Sequence, residues 1–276
     1  MSLPPYASPV EKVWFWVFRL FCGLILLFLI APVLVIVPLS FSSGSFLTYP
    51  LPGFSLRWYE AIFTSSAWMG ALKNSLIVAP LATLLAMIFG TLAAVGLNRA
   101  EFPGKGLIVA LLISPMVVPL VIVAVGMYFF FAQVGLLNSY TGLVLAHTVL
   151  GVPFVVITVN ATLQGFDFNQ VRAGASLGAN PMRVFFTIVL PQIVPGVVSG
   201  GLFAFATSFD EVVVALFIAS PTERTLPIQM FSGIRENISP AIAAMATILI
   251  LISTLLLVTM ELLRRRSERL RGGPDR

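Results

Sequence analysis

Five long stretches without a charged side chain most constrain what this chain can fold into. They are residues 20–56, 74–98, 106–166, 184–209 and 237–260. A helix needs about 20 apolar residues to cross the hydrocarbon core of a bilayer, so each stretch is long enough for at least one span. Charged residues make up 10% of the chain, against about 25% in a soluble domain. The sequence therefore predicts an all-α membrane protein.

Six transmembrane helices are predicted from these stretches, in a single transmembrane domain that covers residues 1–276. Stretch 106–166 is long enough for two spans, and the turn formers of residues 132–142 divide it. The predicted spans are 14–40, 72–98, 106–131, 139–162, 192–218 and 239–262. The first is longer than the ~7–15 residues of a signal-peptide core, so we expect an uncleaved anchor.

The lysines and arginines are unevenly divided between the segments that join the spans. If both termini are cytoplasmic, the inner segments hold Lys12, Arg19, Arg99, Lys105, Arg172, Arg183 and the arginines of a basic tail at 264–276, and the outer loops hold only Arg57, Lys73, Arg224 and Arg235. Basic residues concentrate on the cytoplasmic side of membrane proteins, so we predict this orientation. The net charge of +5 then reflects topology and contact with membrane lipids, and no nucleic-acid partner is expected.

Residues 164–190 form the main cytoplasmic loop in this topology. The stretch "VRAGASLGANPMRVFFTIVLP" begins inside this loop at Val171 and ends just after it at Pro191. The small residues from Ala173 to Ala179 favour a short helix that another protein can approach closely. Gly178 and the Asn180-Pro181 pair are expected to end that helix and turn the chain. A second helical piece follows, and Pro191 is placed to open the fifth span.

This stretch resembles the EAA loop of permease subunits of binding-protein-dependent ABC importers, and we call residues 164–190 the EAA-like loop. The family pattern is Glu-Ala-Ala, three residues, Gly, about nine residues and Ile-x-Leu-Pro. The positions that match are Arg172, Ala173 and Gly174, then Gly178, then Ile188, Leu190 and Pro191. The resemblance implies a MetI-like type I importer permease fold in which this loop couples to a cytoplasmic ATPase. Arg172 stands where the family has glutamate, which removes one expected polar contact.

A second resemblance concerns the cargo. The segments around the EAA-like loop, such as "FAFATSFDEVVVALFIA", are similar to spermidine/putrescine permeases of the PotC type. This implies ATP-driven import of a small cationic solute, above all a polyamine, across the bacterial inner membrane. An amino-acid-like amine, an aminophosphonate or ferric ion remains an alternative cargo. The implied partners are a homodimer of ATPase subunits that binds the ATP, a second permease subunit of the PotB type, and a periplasmic or lipid-anchored substrate-binding protein.

Asp210 and Glu211 lie inside the fifth predicted span, 192–218, where a carboxylate costs on the order of 2.5–3.5 kcal/mol to insert. One interpretation is that at least one of them lines the substrate pathway and attracts a cation. The other is structural: pairing with an arginine, or capping a helix break near Ser208. His147, in the fourth predicted span, is expected to make a hydrogen bond between helices.

Several motifs are missing from the sequence. It contains neither a glycine-rich phosphate-binding loop with its Lys-Ser/Thr pair nor an HExxH or other metal-ligand spacing. We therefore expect no enzyme activity, no metal site and no cofactor on this chain. An ion-coupled secondary transporter is the main rival from another class; it would favour inverted repeats and a buried ion site, neither of which the sequence suggests. A membrane scaffold protein is a second rival.

Overall fold

The computed structural model describes residues 8–99, 101–236 and 238–270, although it does not describe every side chain beyond Leu255. The regular elements in these ranges are helices. They are α1 (Pro9–Leu39), α2 (Arg57–Thr64), α3 (Ser66–Arg99), α4 (Lys105–Val117), α5 (Leu120–Val134), α6 (Tyr140–Leu163), α7 (Asn169–Ser176), α8 (Pro181–Val184), a π-helical turn (Phe185–Val189), α9 (Leu190–Phe209), α10 (Val213–Ile218), α11 (Leu226–Glu236) and α12 (Pro240–Leu270).

The chain divides into two compact units, and the first comprises residues 1–65 and 233–276. In it, α12 packs against α1 and α2. A capping box begins α1: the Glu11 N–H donates to Ser8 Oγ (3.3 Å) and the Ser8 N–H donates to Glu11 Oε2 (2.8 Å). The apolar surface of α1 is almost wholly exposed within this chain, which suits a helix surrounded by lipid or a partner subunit.

The second unit comprises residues 66–232, and its centre is the packing of α3, α6 and α9 against one another. Small residues allow these helices to approach closely. A β-carbon added to Gly151 of α6 would lie 3.0 Å from the Ala204 Cβ on α9 and 3.1 Å from the Ala86 Cβ on α3. Such contacts supply van der Waals packing, which drives helix association where there is no water to exclude.

Four helical segments are long and apolar enough to cross a membrane, and the pair α4 and α5 makes a fifth if it counts as one broken span. The four are α1, α3, α6 and the continuous helical path Pro181–Phe209. The chain is therefore a multi-pass, all-helical membrane protein. The described apolar part of α12 is Pro240–Leu255, which is shorter than the other four. Six crossings in a single domain stay a prediction.

Two predicted spans differ from the helices of the structure. The span 106–131 is the pair α4 and α5, which bends by 110°. Pro119 has no N–H to donate, and Val118 before it is extended, so the helix cannot continue through this point. The span 192–218 also breaks, since α9 ends at Phe209 and α10 begins at Val213.

Candidate functional site

The break between α9 and α10 is held by the carboxylate of Glu211. Its two oxygens accept the backbone N–H groups of Val214 (2.7 Å) and Ala215 (2.8 Å), so they cap the first turn of α10. Without this cap, the two N–H groups at the start of α10 would have no acceptor within their helix. A buried N–H group without an acceptor costs free energy. Glu211 is only 5% exposed, which fits a structural cap. Of the two interpretations given for Asp210 and Glu211, the structural one, in which a carboxylate caps a helix break, therefore applies to Glu211.

His147 connects α6 to the same break. Its Nδ1 atom lies 2.7 Å from Ser208 Oγ near the end of α9, which confirms the predicted hydrogen bond between helices. Its Nε2 atom lies 3.8 Å from Glu211 Oε2 and has no hydrogen-bond partner among the described residues. The imidazole is 1% exposed, so this pair of polar groups lies deep within the second unit.

Asp210 differs from its neighbour, because its side chain is exposed. Asp210 lines a cavity of about 660 Å³, and Glu211 also borders this cavity. We call it the acidic cavity. Residues at both helix breaks border it: Pro115 and Met116 come from the end of α4, and residues 210–213 come from the break after α9. Broken helices at membrane depth are tolerated where they line a cavity, and they often border a binding site.

The remaining wall of the acidic cavity is mostly apolar. Leu150 and Phe154 of α6 contribute to it, with Ala206 and Thr207 of α9. The Phe154 ring stacks against Phe203 with ring centroids 6.0 Å apart and an interplanar angle of 19°. The cavity thus combines one accessible carboxylate with aliphatic and aromatic surface. Phe154 is a contributor that the sequence analysis did not single out, and a lone phenylalanine in an apolar helix carries no signal that would have revealed it.

The EAA-like loop contains α7, and Gly174 is the buried point of that helix. A β-carbon at Gly174 would lie 2.8 Å from Ile188 Cδ1 and 3.3 Å from Val184 Cγ2. Two positions of the family pattern, Gly174 and Ile188, are therefore in contact. Gln192 Nε2 also donates to Gln170 Oε1 (2.6 Å), which holds α7 against the start of α9.

Gly178 ends this helical segment in the way that the sequence predicts. Its φ of 81° lies in the left-handed region, where glycine has no steric penalty. The Gly178 N–H donates to Ala175 O (2.9 Å), and the Ala179 N–H donates to Gly174 O (3.1 Å). Asn180 Oδ1 then accepts the Arg183 N–H (2.8 Å) and begins the next helical piece. The chain turns sharply between the two pieces.

The outward surface of the turn is formed by exposed side chains. Arg172 and Ala173 are exposed, and Leu177 is 88% exposed. Leu177 directly follows the last residue of α7, so its side chain is accessible at the turn. Sequence analysis did not single out Leu177, although an apolar residue amid the small residues of a polar loop is a usable signal.

Pro191 lies within a continuous helical path from Pro181 to Phe209 rather than at a fresh start. The π-helical turn Phe185–Val189 precedes it, and the Leu190 N–H donates to Phe185 O. Because Pro191 has no N–H, it cannot serve the carbonyl of Thr187, and a locally widened turn accommodates this loss. Leu190 and Pro191 are therefore the first residues of α9, but the chain is already helical before them.

Comparison with known proteins decides the family. Residues 86–269 match the family described as "Binding-protein-dependent transport system inner membrane component". The chain belongs to this family. It is a permease subunit of an ABC importer and not an enzyme, and its fold is MetI-like.

Two relatives of this permease cover most of its length. "Spermidine/putrescine transport system permease protein PotC" of Haemophilus influenzae is 33% identical over 92% of this chain and 98% of its own. "Putrescine transport system permease protein PotI" of Escherichia coli (strain K12) is 36% identical over 81% of this chain and 82% of its own.

Solved structures agree on the fold of this permease. A bacterial ABC transporter involved in the import of the acidic polysaccharide alginate superimposes with a TM-score of 0.73 at 14% identity, covering 95% of this chain and 99% of that one. A related alginate transporter structure contains a bound periplasmic protein. The MetNI methionine ABC transporter gives a TM-score of 0.54 at 20% identity, covering 75% of this chain and 97% of that one.

Proposed function

We propose that this permease carries a polyamine, spermidine or putrescine, inward across the bacterial inner membrane. The observation that carries the proposal is the exposed carboxylate of Asp210 in the acidic cavity between two helix breaks. The names of the two relatives support the same cargo. A carboxylate is retained at membrane depth where it faces a cavity or a partner, and an organic cation is a fitting partner.

The shape of the cargo fits the mixed wall of the acidic cavity. A polyamine alternates ammonium groups with methylene segments. Asp210 supplies a charge-assisted acceptor for an ammonium group, the Phe154 ring supplies a face that attracts cations, and Leu150 and Met116 supply surface for methylene groups. The Glu211 oxygens accept the backbone N–H groups of α10, so the contact to the cargo is assigned to Asp210.

The EAA-like loop is proposed to receive the driving force from a homodimer of cytoplasmic ATPase subunits, which binds the ATP. The loop residues assigned to this contact are Arg172, Ala173, Gly174, Gly178, Ile188, Leu190 and Pro191. Within this set, Gly174 and Ile188 hold the loop together, while Arg172 and Ala173 form part of its exposed surface. Movement of the loop would be transmitted along the continuous helix Pro181–Phe209 to the break at Asp210.

The complete transporter is proposed to contain six spans from this chain with both termini in the cytoplasm. A second permease subunit of the PotB type would supply the other half of the pathway, and a periplasmic or lipid-anchored binding protein would deliver the substrate. In this orientation the acidic cavity lies toward the outer side and the EAA-like loop lies inside. The uneven distribution of lysine and arginine supports this arrangement.

Uptake by the reconstituted complex tests the proposal. Proteoliposomes that hold the complete transporter, with ATP on the ATPase side, are expected to accumulate labelled spermidine. Unlabelled putrescine is expected to compete, whereas an aminophosphonate or ferric ion is not. Replacing Asp210→Asn removes a charge-assisted contact and is expected to lower uptake at subsaturating spermidine by about tenfold.

Glu60→Gln is the matched control, because Glu60 is an exposed carboxylate on α2 outside the acidic cavity. It is expected to leave uptake unchanged. Uptake that persists without ATP and collapses with the proton gradient would instead support a secondary transporter. Efficient competition by another solute class, with no effect of Asp210→Asn, would overturn the polyamine assignment.

A further inference from the structure

A second cavity of about 300 Å³ lies along the same helices as the acidic cavity, and its polar groups are of a different kind. Carboxamide side chains from α3, from α6 and from the residue that directly follows α6 line it, together with the first residue of α4. These are Asn98, Asn160, Gln164 and Lys105. We call it the amide cavity. It contains no carboxylate among its described lining residues, and its one charged side chain is basic.

The two cavities share one face of α6. Leu150 and Phe154 line the acidic cavity, and Ile157, Asn160 and Gln164 line the amide cavity. Their spacings of 4, 3, 3 and 4 residues keep all five within one stripe of an α-helix. At 1.5 Å per residue, the stripe runs about 21 Å along the helix axis from Leu150 to Gln164.

The same relation holds on α4. Lys105, Val109 and Ile113 line the amide cavity, and Met116 on the same stripe lines the acidic cavity. Two neighbouring helices therefore present one continuous surface to both cavities. This is the arrangement expected of two successive compartments in one path, because a solute leaving one along this surface meets the other.

From this geometry we infer that the amide cavity is the release compartment for an ammonium solute. The inference rests on the proposed polyamine function and its orientation. Carboxamide oxygens can accept hydrogen bonds from an ammonium group, but they carry no net charge, so they lack the Coulomb attraction that a carboxylate adds and hold the cation less strongly. The positive charge of Lys105 in the same lining weakens the binding of a cation in the amide cavity further. Along this path the lining therefore changes from the acidic cavity, which holds the cation strongly, to the amide cavity, which binds it weakly.

One contact makes a clean test available. Asn98 Nδ2 donates to Asn160 Oδ1 (3.1 Å). Asn160→Asp keeps an oxygen for that hydrogen bond and adds a negative charge to the amide cavity. If Asn160 serves only to join α3 and α6, this variant is expected to behave like the unaltered protein. If the cavity is a release compartment, the new carboxylate is expected to retain the cation.

The experiment measures two quantities in the complete transporter: the maximal uptake rate of labelled spermidine in proteoliposomes, and the labelled spermidine retained by the purified complex in nanodiscs. For Asn160→Asp we expect the maximal rate to fall and retention to rise, each by about fivefold, as expected when one opposite charge is added at a contact that water screens. Lys105→Gln is expected to change both quantities in the same direction and to a smaller extent.

Arg99→Gln is the control for Lys105→Gln, because Arg99 is a nearby exposed cation that does not line either cavity. If Asn160→Asp does not assemble, the comparison of Lys105→Gln with Arg99→Gln still decides the question. An unaltered complex that moves no spermidine overturns the proposed function and this inference with it. An active complex in which Asn160→Asp or, failing its assembly, Lys105→Gln changes neither quantity overturns this inference alone.

Discussion

Nε2 of His147 lies 3.8 Å from Oε2 of Glu211, and neither side chain is more than 5% exposed. Each of them is committed elsewhere: His147 bonds Ser208, and Glu211 caps α10. The two polar groups therefore hold the helix break independently, one from α6 and one from within the break. Asp210, beside them, is left available to the acidic cavity.

Replacing Glu211 is expected to affect stability through this cap. Glu211→Ala leaves the N–H groups of Val214 and Ala215 without acceptors, which is expected to cost about 1–3 kcal/mol. Glu211→Gln keeps one oxygen and is expected to cost less. Thermal unfolding of the purified permease in detergent measures both, with Glu60→Ala as the exposed control. Equal unfolding temperatures for Glu211→Ala and the unaltered protein would show that the cap is dispensable.

Close packing of α9 on α6 predicts a second effect. A β-carbon at Gly200 would clash with Thr158 Oγ1 and come within 2.6 Å of Val155 Cα, a backbone atom that cannot rotate away. Gly200→Ala is therefore expected to destabilise the permease by about 1–3 kcal/mol. Gly96→Ala serves as the control, because nothing lies within 4 Å of its added carbon. The same thermal assay compares them, and equal losses in the two variants would contradict the packing described.

The contact between Gly174 and Ile188 predicts a rescue. Gly174→Ala places a carbon 2.8 Å from Ile188 Cδ1 and is expected to loosen α7 by about 1 kcal/mol, which lowers ATP-dependent uptake. Ile188→Val removes that Cδ1 atom, so the double variant is expected to recover most of the loss. A double-mutant cycle on uptake measures the coupling. A double variant no better than Gly174→Ala would mean that this contact does not position the loop.

The stability of the loop between α10 and α11 is expected to depend on pH through Glu223. The Ser220 hydroxyl donates to Glu223 Oε2 and, with a further bond from Thr222, holds the pKa of that carboxyl below its ordinary value of 4.5. The lowered pKa stabilises the folded loop above pH 4.5, and this stabilisation is lost as the pH falls through the folded-state pKa.

Ser220→Ala is therefore expected to lower the unfolding temperature at pH 7, with a difference that shrinks in acid as Glu223 becomes protonated. Thermal scans at a series of pH values check this in the purified permease. Ser199→Ala, on α9 away from Glu223, is the control. A difference between Ser220→Ala and the unaltered protein that does not vary with pH would contradict the role assigned to this bond.

The sequence could predict where the long helices lie, because a charge in hydrocarbon is costly and its absence marks the spans. It also indicated the turn at Gly178, since few residues other than glycine adopt a positive φ easily. The break at Val118-Pro119 also follows from proline chemistry, although the predicted span 106–131 runs across it. These features depend on local properties of the chain, which a single sequence carries.

The arrangement of the site depends on distant residues, and the sequence could not specify it. His147 and Ser208 are 61 positions apart, and only the packing of α6 on α9 brings them together. The different roles of Asp210 and Glu211 also depend on burial, which two adjacent acidic residues do not reveal. The continuity of the helix through Pro191 was missed because a proline usually begins a helix, whereas here a π-helical turn accommodates it.

Crosslinking at Leu177 tests the central claim most directly. Cys22 is the only cysteine in the chain, so Cys22→Ser gives a clean background, and Leu177→Cys places a thiol at a highly exposed point of the EAA-like loop. Phe54→Cys, 81% exposed and outside the membrane on the opposite side in the proposed topology, is the control. The account predicts a crosslink from position 177 to the ATPase subunit and none from position 54. Labelling of position 177 by an impermeant thiol reagent from the periplasm, with no crosslink to the ATPase, would contradict it.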